Sequence, residues 1–448
     1  MKSKRLTKKI AEQFLAGEID DILDFDPIDP AAALLLAKYE GALCLGITEL
    51  SDTAAEALAH HDGGGLTLER LRVLTEGAAK ALAFHKGSQY KEDWGGDQGE
   101  LNIGYIDTSD WDGASEELSN YRAANCKLNL AEGAARALAQ GRTAFLTLQL
   151  DYLSHEDAEA LAQSENYLSL PRLKALTNSN LARKLVFTRE GEPDEVSLES
   201  CREPLSAEVA LALASYPGVL QLSSLESISD EVAEIFANAL VTGALRGLSL
   251  NTEATCSPHA RRTLMVAGGL GTDELTDLDV DFAGALATRR GGLCLDGLTE
   301  LSVEVAVKLG NHAEMLWLNG LSELSEKASS ALGNHRGGLG LNGLSTLPDR
   351  IAEKLANSKG GLVLNGLAEL SSKGAKALAE HEGDLTLEGL ASLTANAASA
   401  LASHNGRLFI NVAELSDDAA KELCNPKGEV FGTICGQDAE EFLKQFKS

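Results

Sequence analysis

Aromatic residues are scarce in this chain: Phe, Trp and Tyr together fill 5% of 448 positions. Cysteine is sparse as well, seven in all (44, 126, 201, 256, 294, 424 and 435), with no CxxC pair. An odd, dispersed set argues against a disulfide framework and is expected as buried, reduced thiols. The longest apolar run, Ala31–Ala37, is far too short to cross a bilayer. Glu12 and Gln13 interrupt what would be the apolar centre of a signal peptide, so a soluble cytoplasmic protein is expected. Basic charge is in deficit, 39 Lys+Arg against 67 Asp+Glu, for a formal charge of −28. That excess repels phosphate backbones and anionic lipid, which argues against nucleic-acid and membrane partners. No HExxH, Gly-x-Ser-x-Gly or Gly-Lys-Ser/Thr motif is present, so neither a catalytic set nor a cofactor is expected.

What the chain does have is leucine and alanine. Hydrophobic residues make up 44% of it, enough for a continuous core. A strict period organises them: Leu293, Leu316, Leu339, Leu362, Leu385 and Leu408 stand 23 residues apart. Within one unit, Leu362, Leu364, Leu367 and Leu370 fall at offsets 0, 2, 5 and 8, followed by Ser371, Ala375, Leu378, His381 and Gly383. Leu-x-Leu reads as a short strand with two side chains facing inward. Asn319-Gly320, Asn342-Gly343 and Asn365-Gly366 supply residues that tolerate a left-handed turn. Ser302, Ser325, Ser371, Thr394 and Ser416 stand where a helix would begin, and Ala and Leu three to four apart give that helix a buried stripe. The Gly after the His is expected to end it. One unit cannot bury its leucines alone, so neighbouring units must stack.

This pattern resembles the leucine-rich repeat family, closest to its bacterial 23-residue varieties. The resemblance implies an α/β solenoid, a right-handed horseshoe with a parallel sheet on the concave side and short helices on the convex side. The chain departs from the family's best-known form in carrying Leu at offset 5 in place of an Asn, so that family's buried asparagine ladder is not implied. The offset-8 position can be followed back through Leu278, Ile228, Leu205, Leu176, Leu153, Leu130, Leu74 and Leu50, with Ile28 and Cys256 as degenerate members. A loose unit lies near Leu101, and the total comes to about seventeen coils, on the order of 80 Å at about 4.8 Å per strand. Residues 1–18 are expected as a capping helix turning Ile10, Phe14 and Leu15 to the first coil. Residues 19–426 form the solenoid, and 427–448 a closing cap with a strand at Val430–Cys435 and a helix carrying Phe442, Leu443 and Phe446.

The largest break in the period, 88–126, gathers Trp94, Trp111, Tyr90, Tyr105 and Tyr121. Aromatics in a loop set on a rigid scaffold are material for a recognition site, though they also serve to plug a local defect. Smaller breaks, Leu185–Pro204 and Ala237–Gly269, read as linker-like. On the sheet, offsets 1 and 3 face outward and supply small or amide residues, with Trp317 the one large ring. Trp317 beside Met315 makes either an anchor pocket or simple packing against the sheet.

Three further patterns invite chemistry. His61, His85, His312, His335, His381 and His404 share one repeat slot; a zinc ladder is conceivable, but a partly charged imidazole near a helix C-terminus, complementing the dipole and the free carbonyls, explains all six. Gly338-Leu-Gly340-Leu-Asn-Gly343 spells GxGxxG, but its strand falls inside the motif instead of before it, so no dinucleotide site is expected. Asp273, Glu274, Asp277, Asp279 and Asp281 cluster as calcium ligands would, without the Gly and Glu that complete a helix–loop–helix site. The expectation is therefore a non-enzymatic scaffold that binds a protein partner, a basic one by charge, through Trp317, Met315, Trp94, Trp111, Tyr90 and Tyr105. A self-associating structural solenoid and a calcium- or zinc-binding repeat protein are the alternatives.

Overall fold

The computed structural model describes residues 4–61, 63–85, 100–103, 127–141, 145–187, 195–251 and 253–446. It is an α/β protein of parallel sheets and many short helices, and it divides into two compact units, Met1–Ala260 and Arg261–Ser448. Trp94, Trp111, Tyr90, Tyr105 and Tyr121 lie outside the described residues. Among the described residues no helix is long and apolar enough to cross a membrane.

In the second unit the leucine period becomes strand register. Leu293 pairs with Leu316, Leu316 with Leu339, and so on through Leu362, Leu385 and Leu408 to Val430, all in parallel. The sheet has eight strands, and Gln437–Asp438 turns back antiparallel on Glu429–Ile434 to close its last edge. Leu316, Leu318 and Leu321 are fully buried, as are Leu362, Leu364 and Leu367, so offsets 0, 2 and 5 all point into one core. Each such side chain contributes roughly 1.5–3 kcal/mol by leaving water. The expected helix starts are where the structure puts them. Ser302, Ser325, Ser371, Thr394 and Ser416 each accept the N–H three residues on, at 2.8–3.3 Å.

Two details of the repeat differ from the expectation. The helices end at Leu309, Leu332 and Leu355, before the His slot, so the Gly beyond it terminates nothing. Nor do the Asn-Gly glycines take a left-handed φ. Their role is closeness. A Cβ at Gly320, Gly343, Gly366 or Gly389 would stand 1.8–2.2 Å from the carbonyl oxygen of the coil before. A second column, Gly337, Gly360, Gly383, Gly406 and Gly428, meets a preceding carbonyl in the same way, at 1.9–2.5 Å. In the coils of Leu339, Leu362 and Leu385 backbone packs directly on backbone at both corners, and only glycine leaves the room.

The first unit is less uniform. Leu43–Leu45, Leu66–Leu68, Glu100–Ile103, Phe145–Leu148 and Tyr167–Ser169 form a five-stranded parallel sheet; Glu195–Ser197, Val219–Leu222 and Gly247–Leu250 form a separate three-stranded one. The break expected at 88–126 thus holds a regular strand, Glu100–Ile103, paired on both sides. The break at Ala237–Gly269 is absorbed by a longer helix, Asp230–Thr242, ended by Gly243 in the left-handed region. At the N-terminus a strand, Lys4–Leu6, precedes the capping helix Lys8–Leu15. That helix buries Ala11 and sets Phe14 against Tyr39 at 5.2 Å, but Leu15 stays exposed, contrary to expectation.

Candidate functional site

The open face of the second unit's sheet is built from the offsets between the buried leucines. Trp317 leans over the next strand: a Cβ at Gly340 would lie 2.0 Å from its Cε3, and one at Gly338 would lie 2.3 Å from Sδ of Met315. The glycines of the GxGxxG string are therefore beds for Met315 and Trp317, with Gly343 in the corner column. Both side chains remain half-buried, so one face of each is packed and the other is open. In this respect the packing reading and the anchor reading of Trp317 describe the two faces of one ring.

Farther along the same column stand Val363, Thr386 and Phe409. Phe409 stacks on Phe431 with centroids 5.2 Å apart, and the guanidinium of Arg407 lies 5.8 Å from the Phe409 ring. Arg407 is itself held by Asp384. The face thus has aromatic ridges at Trp317 and at Phe409/Phe431 with smaller residues between. The sequence reading took Trp317 as the one large ring of this face; it gave Phe409 no role, and it missed Phe431 because the last step is 22 residues, not 23.

The amides at offset 3 are not simply turned outward. Asp296 accepts the Asn319 N–H at 2.9 Å, Asn319 Oδ1 accepts the Asn342 N–H at 3.0 Å, and Asn342 and Asn365 continue the row to Asn365 and Glu388, each at 2.9 Å. Each side chain supplies one bond to the next coil, which satisfies a backbone donor just past the strand end. It is an amide row at offset 3, where the sequence suggested no ladder at all.

The six histidines are buried, at 0–1% exposure, and two meet helix C-terminal carbonyls as the sequence suggested: His312 Nδ1 lies 3.3 Å from Ala287 O and His381 Nδ1 3.2 Å from Ala356 O, each the cap of the helix one coil before. His335 Nε2 approaches the carbonyls of Glu314 and Gly338 at 2.9 and 3.1 Å, and His312 Nε2 that of Gly291 at 3.1 Å. They come in pairs: His312 with His335, His381 with His404, and His61 with His85, whose Nδ1 and Nε2 are 3.3 Å apart. Burial, then the neighbouring His61, pushes His85 down to about 4. Burial also lowers His335 and His381. The slot between the last two pairs is filled by Ser358, whose hydroxyl donates to Leu355 O at 2.8 Å. Two imidazoles do not complete a metal site, and no group of three or more ligand side chains occurs among the described residues.

Of the aspartate cluster, Asp279 is engaged in the fold. Asp279 caps the helix Val280–Leu286 by accepting the Phe282 N–H at 2.8 Å and pairs with Arg262 at 2.7 Å. That bond and Arg262 hold its carboxyl below the usual range. The thiols divide: Cys201 and Cys424 are buried as expected, while Cys44 and Cys435 are exposed. No protein-family model matches the sequence, and no curated protein does.

Proposed function

We propose that the chain is a non-enzymatic, cytoplasmic leucine-rich-repeat protein whose units are right-handed solenoids, and that it binds a protein partner on the open sheet face of its second unit. The observation that carries this reading is the pair of aromatic ridges, half-buried Trp317 with Met315 and half-buried Phe409 with exposed Phe431, on a sheet held in register by seven parallel strands. Rigid aromatics with one face already packed lose little freedom on binding, and such residues dominate interface energies. The −28 charge favours a basic partner and a salt-sensitive encounter. Trp94, Trp111, Tyr90 and Tyr105 stay within the proposal as a second contact.

The test is affinity for a partner captured at low salt, measured for Trp317→Ala and Phe409→Ala. Each should lose at least tenfold, about 1.4 kcal/mol. Trp94→Ala with Trp111→Ala tests the second contact without cutting out Glu100–Ile103. Unchanged affinity in all variants would remove this face from the function.

A further inference from the structure

In the second unit two kinds of bond tie each strand to the next. Leucines at offset 2 donate forward, Leu318 N–H to Gly340 O and Leu341 N–H to Val363 O, each at 2.9 Å. The amide at offset 3 accepts the following coil's N–H, as Asn319 does from Asn342 at 3.0 Å. Both bonds are missing at one place in the first unit. Tyr167–Ser169 ends the five-stranded sheet, Glu195–Ser197 begins the three-stranded one, and no ladder joins them. Among the described residues Leu170 N–H, at offset 2, and Glu199 N–H, at offset 3 of the next coil, have no hydrogen-bond partner.

The residues at this joint supply the cause. Pro171 stands where Asn319 and Asn342 stand, and its ring offers no acceptor to the Glu199 N–H. Ser200 stands where the corner glycine stands; its Cβ keeps the coils from closing, and its hydroxyl donates to Pro171 O at 2.6 Å. The coils stay attached on either side of the gap. Arg202 N–H and Glu203 N–H donate to Lys174 O at 2.9 and 3.0 Å, and the helices Ser179–Phe187 and Ala207–Ala214 pack together. What remains is a cavity of about 200 Å³ within the first unit, lined by Leu168, Leu170, Leu173, Leu176, Val196 and Leu198. Leu198 is half-buried and Leu170 is 8% exposed, whereas Leu318, Leu341 and Leu364 at the same offset are fully buried.

We infer that this slot receives one apolar side chain from an extended segment of a partner protein, whose peptide carbonyls take up the N–H groups of Leu170 and Glu199. An apolar cavity of roughly 150 Å³ already admits a benzene ring, so the slot has room for one branched or aromatic side chain. Leu170 and Glu199 also line the cavity, so their unpaired N–H groups ask for acceptors at its rim. A bare hydrocarbon would fill the well and leave both donors unmet. An anionic head would meet them but face the exposed Glu199 carboxylate at the same rim. A peptide supplies a neutral carbonyl and a side chain in alternation along one extended chain. Recognition is thus strand addition at an exposed sheet edge, with a single pocket for specificity. The slot shares no residue with the open sheet face of the second unit, so either can fail without the other.

The experiment is fluorescence anisotropy of a fluorescein-labelled, otherwise uncharged hexapeptide of alternating leucine and threonine, titrated with the full chain. Amide hydrogen exchange at Leu170 is followed with and without the peptide. Saturable binding is expected, with the Leu170 amide exchanging fast in the free chain and at least tenfold slower in the complex. Pro171→Asn/Ser200→Gly, which rebuilds the second unit's corner, should close the slot and weaken binding at least tenfold. If a circular-dichroism melt shows that this variant does not fold, Glu199→Pro, which removes an N–H that the fold leaves unused, should still weaken binding threefold or more. No saturation with the intact chain, an unchanged Leu170 amide in the complex, or equal binding by the folded variants would each overturn the assignment. Full displacement of the peptide by millimolar decanoate would also overturn it, in favour of a small apolar ligand.

Discussion

The second unit carries its main strands in one eight-stranded sheet at a nearly constant step, whereas among the described residues the main strands of the first fall in a five-stranded and a three-stranded sheet. Both use the same buried leucines, so apolar burial does not explain the contrast. The corners do. In the second unit, glycine stands at both corners of the three successive coils of Leu339, Leu362 and Leu385, and at one corner of their neighbours, and the backbones touch. At the corner after the strand the first unit holds Arg70, Arg172, Ser200 and Ser224, whose Cβ atoms forbid that approach, and close glycine contacts survive only at scattered places such as Gly46, Gly63 and Gly141 among its described residues. Regularity is a property of the glycines, and irregularity leaves room for charged side chains. The first unit gives up uniform stacking and opens a slot between two coils; the second keeps the uniform face.

The largest effect should come from closing the glycine corner. Gly343→Val places a side chain about where the Asn319 carbonyl oxygen now lies, so neighbouring coils must separate. A loss of about 3 kcal/mol or more is expected, against at most about 0.5 kcal/mol for Ser224→Ala on the first unit's matching turn. Urea denaturation followed separately for each unit by hydrogen exchange reads both. Equal losses would show that the corners do not set the difference between the units.

Acid should separate the units next. His85 titrates near 4 in the fold and at 6.5 when unfolded, so between these values the unfolded chain takes up the proton first. The stability this histidine supports is complete above pH 6.5 and is lost as pH falls towards 4, about 2–3 kcal/mol by pH 4.5. His335 and His381 move in the same direction, but carbonyl contacts raise them part of the way back. The first unit should therefore lose exchange protection earlier on acidification, and His85→Asn should flatten its pH dependence. Simultaneous opening of both units, or no change in His85→Asn, would contradict this.

Much of the fold was legible because it rests on spacing. The leucine register, the helix starts at Ser302 and Ser325, and the closing strand and helix after residue 427 follow from period and cap chemistry alone. What stayed hidden depends on contacts between coils. Gly343 can signal a left-handed turn or a close approach, and only the neighbouring carbonyl distinguishes them. Asn342 reads as an exposed amide until the next strand's N–H arrives beside it. His335 reads as a surface group at a helix end until the neighbouring coil buries it and offers it the Glu314 carbonyl. The candidate face was half legible: Trp317 and Met315 were visible as large residues among small ones, whereas Phe431 lies one residue out of register. The slot beside Pro171 was not read at all, because the break at Leu185–Pro204 reads as a linker and only stacking shows which N–H groups lose their partners.

The smallest effect concerns one helix start. The cap slot that holds Ser or Thr in most coils of both units holds Pro348 in the second, and the helix Asp349–Leu355 has no side-chain cap. Proline cannot accept the Ile351 N–H with a side chain, although its own carbonyl does so at 2.9 Å. Its ring also fixes φ near −58°, which a cap residue tolerates. Replacing it by serine adds a side-chain acceptor and releases chain entropy in the unfolded state, two terms of opposite sign. The cap term is the larger, so Pro348→Ser should stabilise the second unit by about 0.5 kcal/mol, while Ser325→Ala should cost it about 1 kcal/mol. Both are read as shifts in the second unit's urea midpoint at constant m. A loss of stability in Pro348→Ser would mean that ring rigidity, and not the missing hydroxyl, governs that corner.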